Sequence, residues 1–385
     1  MLIFLIAGEP SGDVLGGALM RALKERTGGA VSFAGVGGER MAAEGLRSLV
    51  PLNELAVMGI AEVLPRARLI LRRVRETADA IVRLKPAAVV TIDSSGFTWR
   101  IAQALRRRGE SLPLIHYVAP MVWAWGAGRV RRIARWYDHL MCLLPFEPPY
   151  FEQAGLPASW VGHPVLESDL DRGDRKGFRA RQGIAPETPL LMVLPGSRQT
   201  EVRRLLPVFG ATVQRLAARF PDLRVVVPTV GNVADIVSNA IREWAVPAIV
   251  VEGIEKPDAY AASDAALAAS GTVALELAMA RLPAVVAYRV NPLTALLAQR
   301  LVKVRYVNLV NLLLDREAVP ELLLERCTPD ALESAVAVLL ADEAARAAQV
   351  GAYEEALARL GSEGARPSLR AADVVLDVIA QRRRA

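Results

Sequence analysis

Residues 269–276 read Ala269-Ser270-Gly271-Thr272-Val273-Ala274-Leu275-Glu276. Ahead of them, Ser263 to Ala268 is short and apolar enough for a buried strand. Behind them, Leu277, Ala278 and Met279 are good helix formers that stop at Leu282-Pro283. The stretch predicts strand, tight Ser-Gly-Thr turn, helix. Such a turn leaves the first helical N–H groups without intrahelical acceptors, where an anion can accept from them. Gly271 removes a side chain at the point of closest approach, and Ser270 or Thr272 can cap or donate. Glu276 falls about one turn further in, on the face of Thr272, with a carboxylate able to accept from ribose hydroxyls. An ordinary capped helix with a surface glutamate fits these residues equally well, so the rest of the chain has to decide.

A chain of 385 residues favours two domains of ordinary size over one. Hydrophobic residues make up 52% and aromatics only 5%, so the core is aliphatic. The two cysteines, Cys142 and Cys327, form no CxxC or Cys/His ligand spacing, which points to a reducing compartment and away from structural zinc. The run Leu2 to Ala7 lacks a preceding basic region and reads as a first buried strand rather than a signal peptide. Apolar segments are interrupted by charge well before about 20 residues, so no transmembrane helix is expected and the protein is placed in the cytoplasm. A net charge of +6 admits nucleic acid, phosphorylated small molecules or an anionic membrane as partners. Nucleic acid is the weakest of these, because no helix-turn-helix, RNP or zinc-finger pattern occurs.

The strand–turn–helix unit recurs along the chain. Phe4 to Ala7 leads through Gly8-Glu9-Pro10-Ser11-Gly12-Asp13 into a helical stretch from Val14 to Arg26, without the GxGxxG fingerprint of dinucleotide sites. Ala87 to Ile92 is a β-branched strand that delivers Asp93 to its carboxyl end, where open α/β sheets place ligands and where a carboxylate can take a proton from a hydroxyl nucleophile. An aspartate that merely caps the next turn is the ordinary alternative. Leu114 to Val118 runs into Trp123-Ala124-Trp125, either a ligand-facing aromatic wall or a core cluster. The charged segment Glu167 to Lys176 marks a domain boundary, and Asp169-Leu170-Asp171 within it reads as surface charge rather than a metal-binding DxD. The second half starts afresh with Leu190 to Leu194, followed by Pro195-Gly196-Ser197-Arg198, where Arg198 supplies a fixed charge suited to phosphate. Two β/α series imply two doubly wound sheets with a cleft between them. Ser197, Arg198, Ser270 and Thr272 would then converge on one wall. Asn308 and Asn311, set among leucines, are either satisfied core amides or site residues.

Leu55 to Leu64 is largely apolar and passes into a stretch from Pro65 to Arg75 in which apolar and basic residues alternate at helical spacing. A helix packed on a sheet with solvated arginines explains it. So does an interfacial helix, with Ile60, Val63, Leu64, Leu69 and Leu71 entering lipid while Arg66, Arg68, Arg72 and Arg73 meet headgroups, each basic residue contributing roughly 1 kcal/mol. The residues alone modestly favour the first.

Together, Gly8-Glu9-Pro10-Ser11-Gly12-Asp13, Leu55-Ala56-Val57-Met58-Gly59, His116-Tyr117-Val118-Ala119-Pro120, Val122-Trp123-Ala124-Trp125, Leu194-Pro195-Gly196-Ser197-Arg198, Ala269-Ser270-Gly271-Thr272 and Asn311-Leu312-Leu313 before Arg316-Glu317 resemble lipid-A-disaccharide synthases. These are inverting glycosyltransferases with two Rossmann-like domains in the GT-B arrangement, and the resemblance runs to about Glu325. It implies UDP-2,3-diacylglucosamine as donor, 2,3-diacylglucosamine 1-phosphate (lipid X) as acceptor, a β-1,6 bond as product linkage, and no metal cofactor. It assigns Asp93 as general base for the acceptor hydroxyl. It assigns Ser197, Arg198, Ser270, Gly271 and Thr272 to the diphosphate, Glu276 to the ribose, and Glu9, Ser11, Gly12 and Asn311 to further substrate contacts. It also raises the interfacial reading of Leu55 to Arg75, implying peripheral attachment to the inner membrane of a Gram-negative bacterium, and is compatible with a homodimer. The expected domains are 1–166, 167–345 and a helical tail 346–385 packing back on the first. The chain departs from the family at Ser94-Ser95-Gly96-Phe97-Thr98, where a second carboxylate and an Asn are usual, and at Val310, where Pro is common. Another UDP-sugar enzyme of the same fold, such as a different glycosyltransferase or a 2-epimerase, and a non-catalytic sugar-nucleotide or phospholipid binder are the alternatives.

Overall fold

A computed structural model of the chain describes all residues except 56–59, 125–126, 230, 232, 290–303 and 385, with the backbone alone for 60–66 and 127. Two compact units emerge, one formed by Met1–Pro164 with Glu363–Ala385 and the other by Val165–Ser362.

The first unit is built on a parallel sheet of β1 (Leu2–Ala7), β2 (Ser32–Val36), β3 (Ala88–Ile92), β4 (Leu114–Tyr117), β5 (His139–Cys142) and β6 (Ala158–Trp160), in the order β2-β1-β3-β4-β5-β6. Helices cover both faces, so the strands read as continuous apolar runs instead of alternating ones. Phe4, Ile6 and Val89 face Ile101 and Leu105 on one side. Ile3, Leu5 and Val90 face Leu19, Leu23, Val375 and Ile379 on the other. The last two belong to helix Pro367–Arg384, which Arg26–Asp373 and Arg366–Glu25 ion pairs also tie to this unit.

In the second unit β7 (Leu190–Leu194), β8 (Arg224–Pro228), β9 (Ala248–Val251), β10 (Ala265–Ala269), β11 (Ala284–Tyr288) and β12 (Glu321–Leu323) pair in the parallel order β12-β11-β10-β7-β8-β9. At its amino edge Asp264 accepts from Arg175, Arg179 and the Leu190 amide, at 2.6, 2.9 and 2.8 Å, and so clamps helix Arg175–Arg181 to the sheet. The strand order reverses between β1 and β3 in one sheet and between β7 and β10 in the other. Open α/β sheets bind ligands at such reversals.

Several boundaries differ from the sequence-based expectation. The unit boundary falls at Pro164–Val165, and the chain returns to the first unit only at Glu363. Helix Glu343–Arg359 stays with the second unit, because the Gln349 amide brackets the backbone N–H and C=O of Ala284. The first helix starts at Pro10 rather than Val14, since the fixed φ of proline is preorganised for a first helical turn. Strands β6 and β12 have three residues each, too short to register as hydrophobic periodicity. Asp169, 74% exposed and paired with Arg172, is the surface charge expected of it.

A buried polar cluster stiffens the first sheet. Trp99 Nε1 donates to His116 Nε2 at 3.4 Å, which leaves Nδ1–H to donate to Thr91 Oγ1 at 2.8 Å, and Tyr137 stacks on the ring at 4.9 Å. Burial holds the imidazole neutral, with its pKa pushed down to about 3. Between pH 6.5 and that value only the unfolded chain takes up the proton, so stability falls as pH drops through this window. Acidification from pH 7 to pH 5 should cost roughly 2 kcal/mol through this residue. Urea titrations of His116→Gln should show an acid loss shallower by that amount, and an unchanged slope would contradict the neutral assignment.

Candidate functional site

The reversal in the first sheet brings together the two turns that the sequence singles out. Ala7 and Ile92 are register partners, so Gly8 and Asp93 leave adjacent strands side by side. A Cβ on Gly8 would land on Ser94 Oγ, so the glycine is what lets the two turns close on each other. Asp93 and Ser94 both lie in the left-handed region, at φ 47 and 45, and Val118 beyond β4 has φ 81. Three non-glycine residues in this region at neighbouring strand ends concentrate backbone strain there, about 1–3 kcal/mol each. The Thr98 hydroxyl donates to the Asp93 carbonyl at 2.8 Å and holds the strained peptide in place. Asp93 is half-buried, with its amide continuing the ladder to Tyr117 O at 2.9 Å.

The glycine-rich turn divides by role. Glu9 is the extended N-cap of helix Pro10–Arg26, and Ser11 is exposed in its first turn. Gly12 is buried: a Cβ there would meet Ala7 Cβ at 3.3 Å and Ile92 O at 3.4 Å. It is therefore a packing position between helix and sheet. Asp13, to which the sequence assigned no task, is 5% exposed and accepts from the amides of Gly38, Arg40 and Met41 at 2.7, 2.9 and 3.0 Å. It caps helix Glu39–Ala43 from across the fold, and its only sequence signal was its place at the end of the motif.

In the second sheet Leu194 and Ala268 are register partners, so Pro195–Arg198 and Ala269–Thr272 emerge next to each other at the β7/β10 reversal. The two turns are not equivalent. At Gly196, with φ 108, a Cβ would collide with the Glu201 carboxylate, which folds back on the Ser197 amide at the start of helix Gln199–Arg219. Burial raises the Glu201 pKa while the Arg198 charge lowers it. This turn thus carries its own carboxylate, with Ser197 and Arg198 exposed beside it. Gly271, at φ 155, has open space where a Cβ would point. Gly271 and Thr272 are exposed and Ser270 is half-buried, ahead of helix Val273–Met279.

Glu276 lies in the first turns of that helix and is 31% exposed. Its Oε2 accepts from Lys256 Nζ at 2.8 Å and from the Tyr260 hydroxyl at 3.0 Å, two partners that the sequence did not announce because they come from another β/α turn. Asn311 is different. Fully buried, it donates to Val319 O and Glu321 Oε1 at 2.7 Å and accepts from the amides of Ala318 and Val319 at 2.8 Å. Both of its donors and both acceptor sites are used internally, so it is a core amide and not a substrate residue.

The apolar–basic stretch is helical over Ile60–Leu84. Residues 56–59 and the side chains of Ile60, Val63, Leu64 and Arg66 lie outside the described residues. Leu71 is 47% exposed, Arg68 and Arg72 are exposed, and Leu69 lines an open groove of about 460 Å³ with Pro51, Asn53 and Glu54. Arg73 is held by Glu54 and Glu76, both at 2.7 Å, and is 19% exposed, so it is not presented to headgroups as expected. Trp123, half-buried, donates to the buried Glu147 at 3.1 Å and packs edge-on to Phe146; Trp125 is outside the described residues. Burial pushes the Glu147 carboxyl up to about 7. Both cysteines are free and buried. Among the described residues no helix is long and apolar enough to cross a membrane, and no group of three His, Cys, Asp or Glu could hold a metal ion.

A family model described as lipid-A-disaccharide synthetase matches residues 3–372. Lipid-A-disaccharide synthase of Rhodospirillum centenum is 58% identical over 383 residues, covering 99% of this chain and 96% of its own. That of Paramagnetospirillum magneticum is 58% identical over 383 residues, covering 99% and 98%. Among solved structures, UDP-GlcNAc 2-epimerase from Neisseria meningitidis bound to UDP-GlcNAc superposes with a TM-score of 0.62 at 13% identity, covering 99% of this chain and 100% of that one. That likeness shows the fold alone, which is GT-B with its two Rossmann-like units. The family match extends over both units, and the chain belongs to the lipid-A-disaccharide synthase family.

Proposed function

We propose that this glycosyltransferase joins UDP-2,3-diacylglucosamine to 2,3-diacylglucosamine 1-phosphate, with Asp93 as general base and the Ser270-Gly271-Thr272 turn as seat of the departing diphosphate. The observation that carries the reading is the placement of these groups at the strand-order reversals of the two sheets, β1/β3 and β7/β10. Asp93 belongs to the first unit and Ser270–Thr272 to the second.

The acceptor 6-hydroxyl gives its proton to the Asp93 carboxylate as its oxygen attacks C1 of the donor sugar. The C1–O bond to UDP breaks with inversion, giving the β-1,6-linked disaccharide 1-phosphate and UDP. Negative charge then grows on the diphosphate. The first amides after Gly271, the hydroxyls of Ser270 and Thr272, and the fixed Arg198 charge are suited to stabilise it. Glu201 already uses the Ser197 amide, so Arg198 contributes charge while the open turn contributes hydrogen bonds. Charge stabilisation by these groups needs no metal ion. The exposed Leu71, Arg68 and Arg72 support a peripheral contact with an anionic membrane, where the acylated substrates reside.

Asp93→Ala should lower kcat by about 10²–10⁴-fold with UDP affinity within about twofold of wild type. Near-normal turnover would remove Asp93 from the role of base. Arg198→Ala should lower kcat/KM by about 10²-fold, and wild-type activity should persist in EDTA; a chelator-dependent loss restored by a divalent cation would contradict a metal-free diphosphate site. Joint replacement of Leu69 and Leu71 by Ser should shift the protein from the membrane to the soluble fraction, and an unchanged distribution would return that helix to a purely packing role.

A further inference from the structure

Lys256, Tyr260 and Glu276 form a hydrogen-bonded group in the second unit. Helix Lys256–Ala262 begins just after β9 and the 3₁₀ turn Gly253–Glu255, at the carboxyl edge of the second sheet. Its first residue, Lys256, is 34% exposed on its side chain and reaches Glu276 Oε2 at 2.8 Å. One helical turn on, Tyr260 is 1% exposed and delivers its hydroxyl to the same oxygen at 3.0 Å. The Lys256 ammonium also lies 5.6 Å from the centroid of the Tyr260 ring, so the two donors brace each other. Both fall on Oε2; among the described residues Oε1 receives neither of them.

A glutamate on the first turns of a helix has three rotatable bonds, and a hydroxyl-binding carboxylate must have its plane fixed before the ligand arrives. Two donors converging on one oxygen achieve this and keep the second oxygen, with both lone pairs, for incoming hydroxyls. A surface ion pair of this exposure would add little to stability, which leaves orientation as its physical consequence. Tyr260 is buried in the unit's core, so the orientation is referred to a rigid part of the fold.

We infer that Lys256 and Tyr260 are positioning residues for the donor, orienting Glu276 so that Oε1 accepts from the vicinal hydroxyls of the nucleotide ribose. The inference rests on the assignment of Glu276 to the ribose. Lys256→Met should raise the donor KM about tenfold, the loss of one well-oriented hydrogen-bonding arrangement, with kcat within about twofold. Lys256→Arg should recover most of the effect, and Tyr260→Phe should fall between wild type and Lys256→Met.

The discriminating experiment is competitive inhibition by UDP and by 2′,3′-dideoxy-UDP in wild type, Glu276→Gln, Lys256→Met and Lys256→Met/Glu276→Gln, with thermal melts as the folding control. Wild type should prefer UDP by at least tenfold. Glu276→Gln should lose that preference, Lys256→Met should lose most of it, and the double variant should lose no more than Glu276→Gln alone. If Glu276→Gln keeps the preference, the ribose assignment itself fails. If Glu276→Gln loses it while folded Lys256→Met keeps it, the ribose assignment stands and the positioning role is overturned.

Discussion

A parallel sheet forces every strand-to-helix turn onto one edge, and reversing the strand order opens a gap between two of those turns that no crossover helix fills. Both sheets of this chain obey that constraint, and the placement of the chemistry follows from it. In the first, the register Ala7 to Ile92 sets the Gly8 turn against Asp93; in the second, Leu194 to Ala268 sets Pro195–Arg198 against Ser270–Thr272. The ladder hydrogen bonds fix these juxtapositions to within one residue, because a slip would turn buried side chains outward. The site residues therefore inherit their precision from the most rigid part of each unit.

The two reversals are specialised differently. The first is strained, with left-handed Asp93, Ser94 and Val118 over a buried neutral His116 cluster, as suits a carboxylate that must be held in one pose. The second is polar and open, with a vacant approach at Gly271 and charged neighbours at Arg198, Glu201, Lys256 and Glu276. Helix N-termini and fixed cations at this edge favour a phosphate-bearing ligand. Glu201 takes up the Ser197 amide and sets a carboxylate at that turn, whereas the turn at Gly271 is open, so the latter is the better seat for an anion.

The fold was legible because parallel strands buried on both faces appear as short apolar runs punctuated by glycine turns. Beta-6 and β12 escaped because three-residue edge strands carry no period. Asp93, Ser270, Gly271 and Thr272 could be placed because each sits directly after a recognisable strand. Asn311 was given a substrate contact by resemblance alone, since a buried amide with four internal partners and a ligand-binding amide look alike until the partners are seen. Lys256, Tyr260, Glu201 and Asp13 were missed for the complementary reason. Their roles arise from contacts with other turns or with backbone amides, and no local pattern marks them. Gly12 shows that a motif residue can be required for packing while Ser11 beside it is exposed.

The central proposal is that this chain carries out a single inverting transfer between two acylated sugars. UDP release by the purified enzyme, assayed with UDP-2,3-diacylglucosamine and 2,3-diacylglucosamine 1-phosphate, tests it most directly. The account predicts turnover only when both acylated sugars are present, with stoichiometric appearance of the disaccharide 1-phosphate. Comparable or faster turnover with non-acylated UDP-GlcNAc as donor would contradict it.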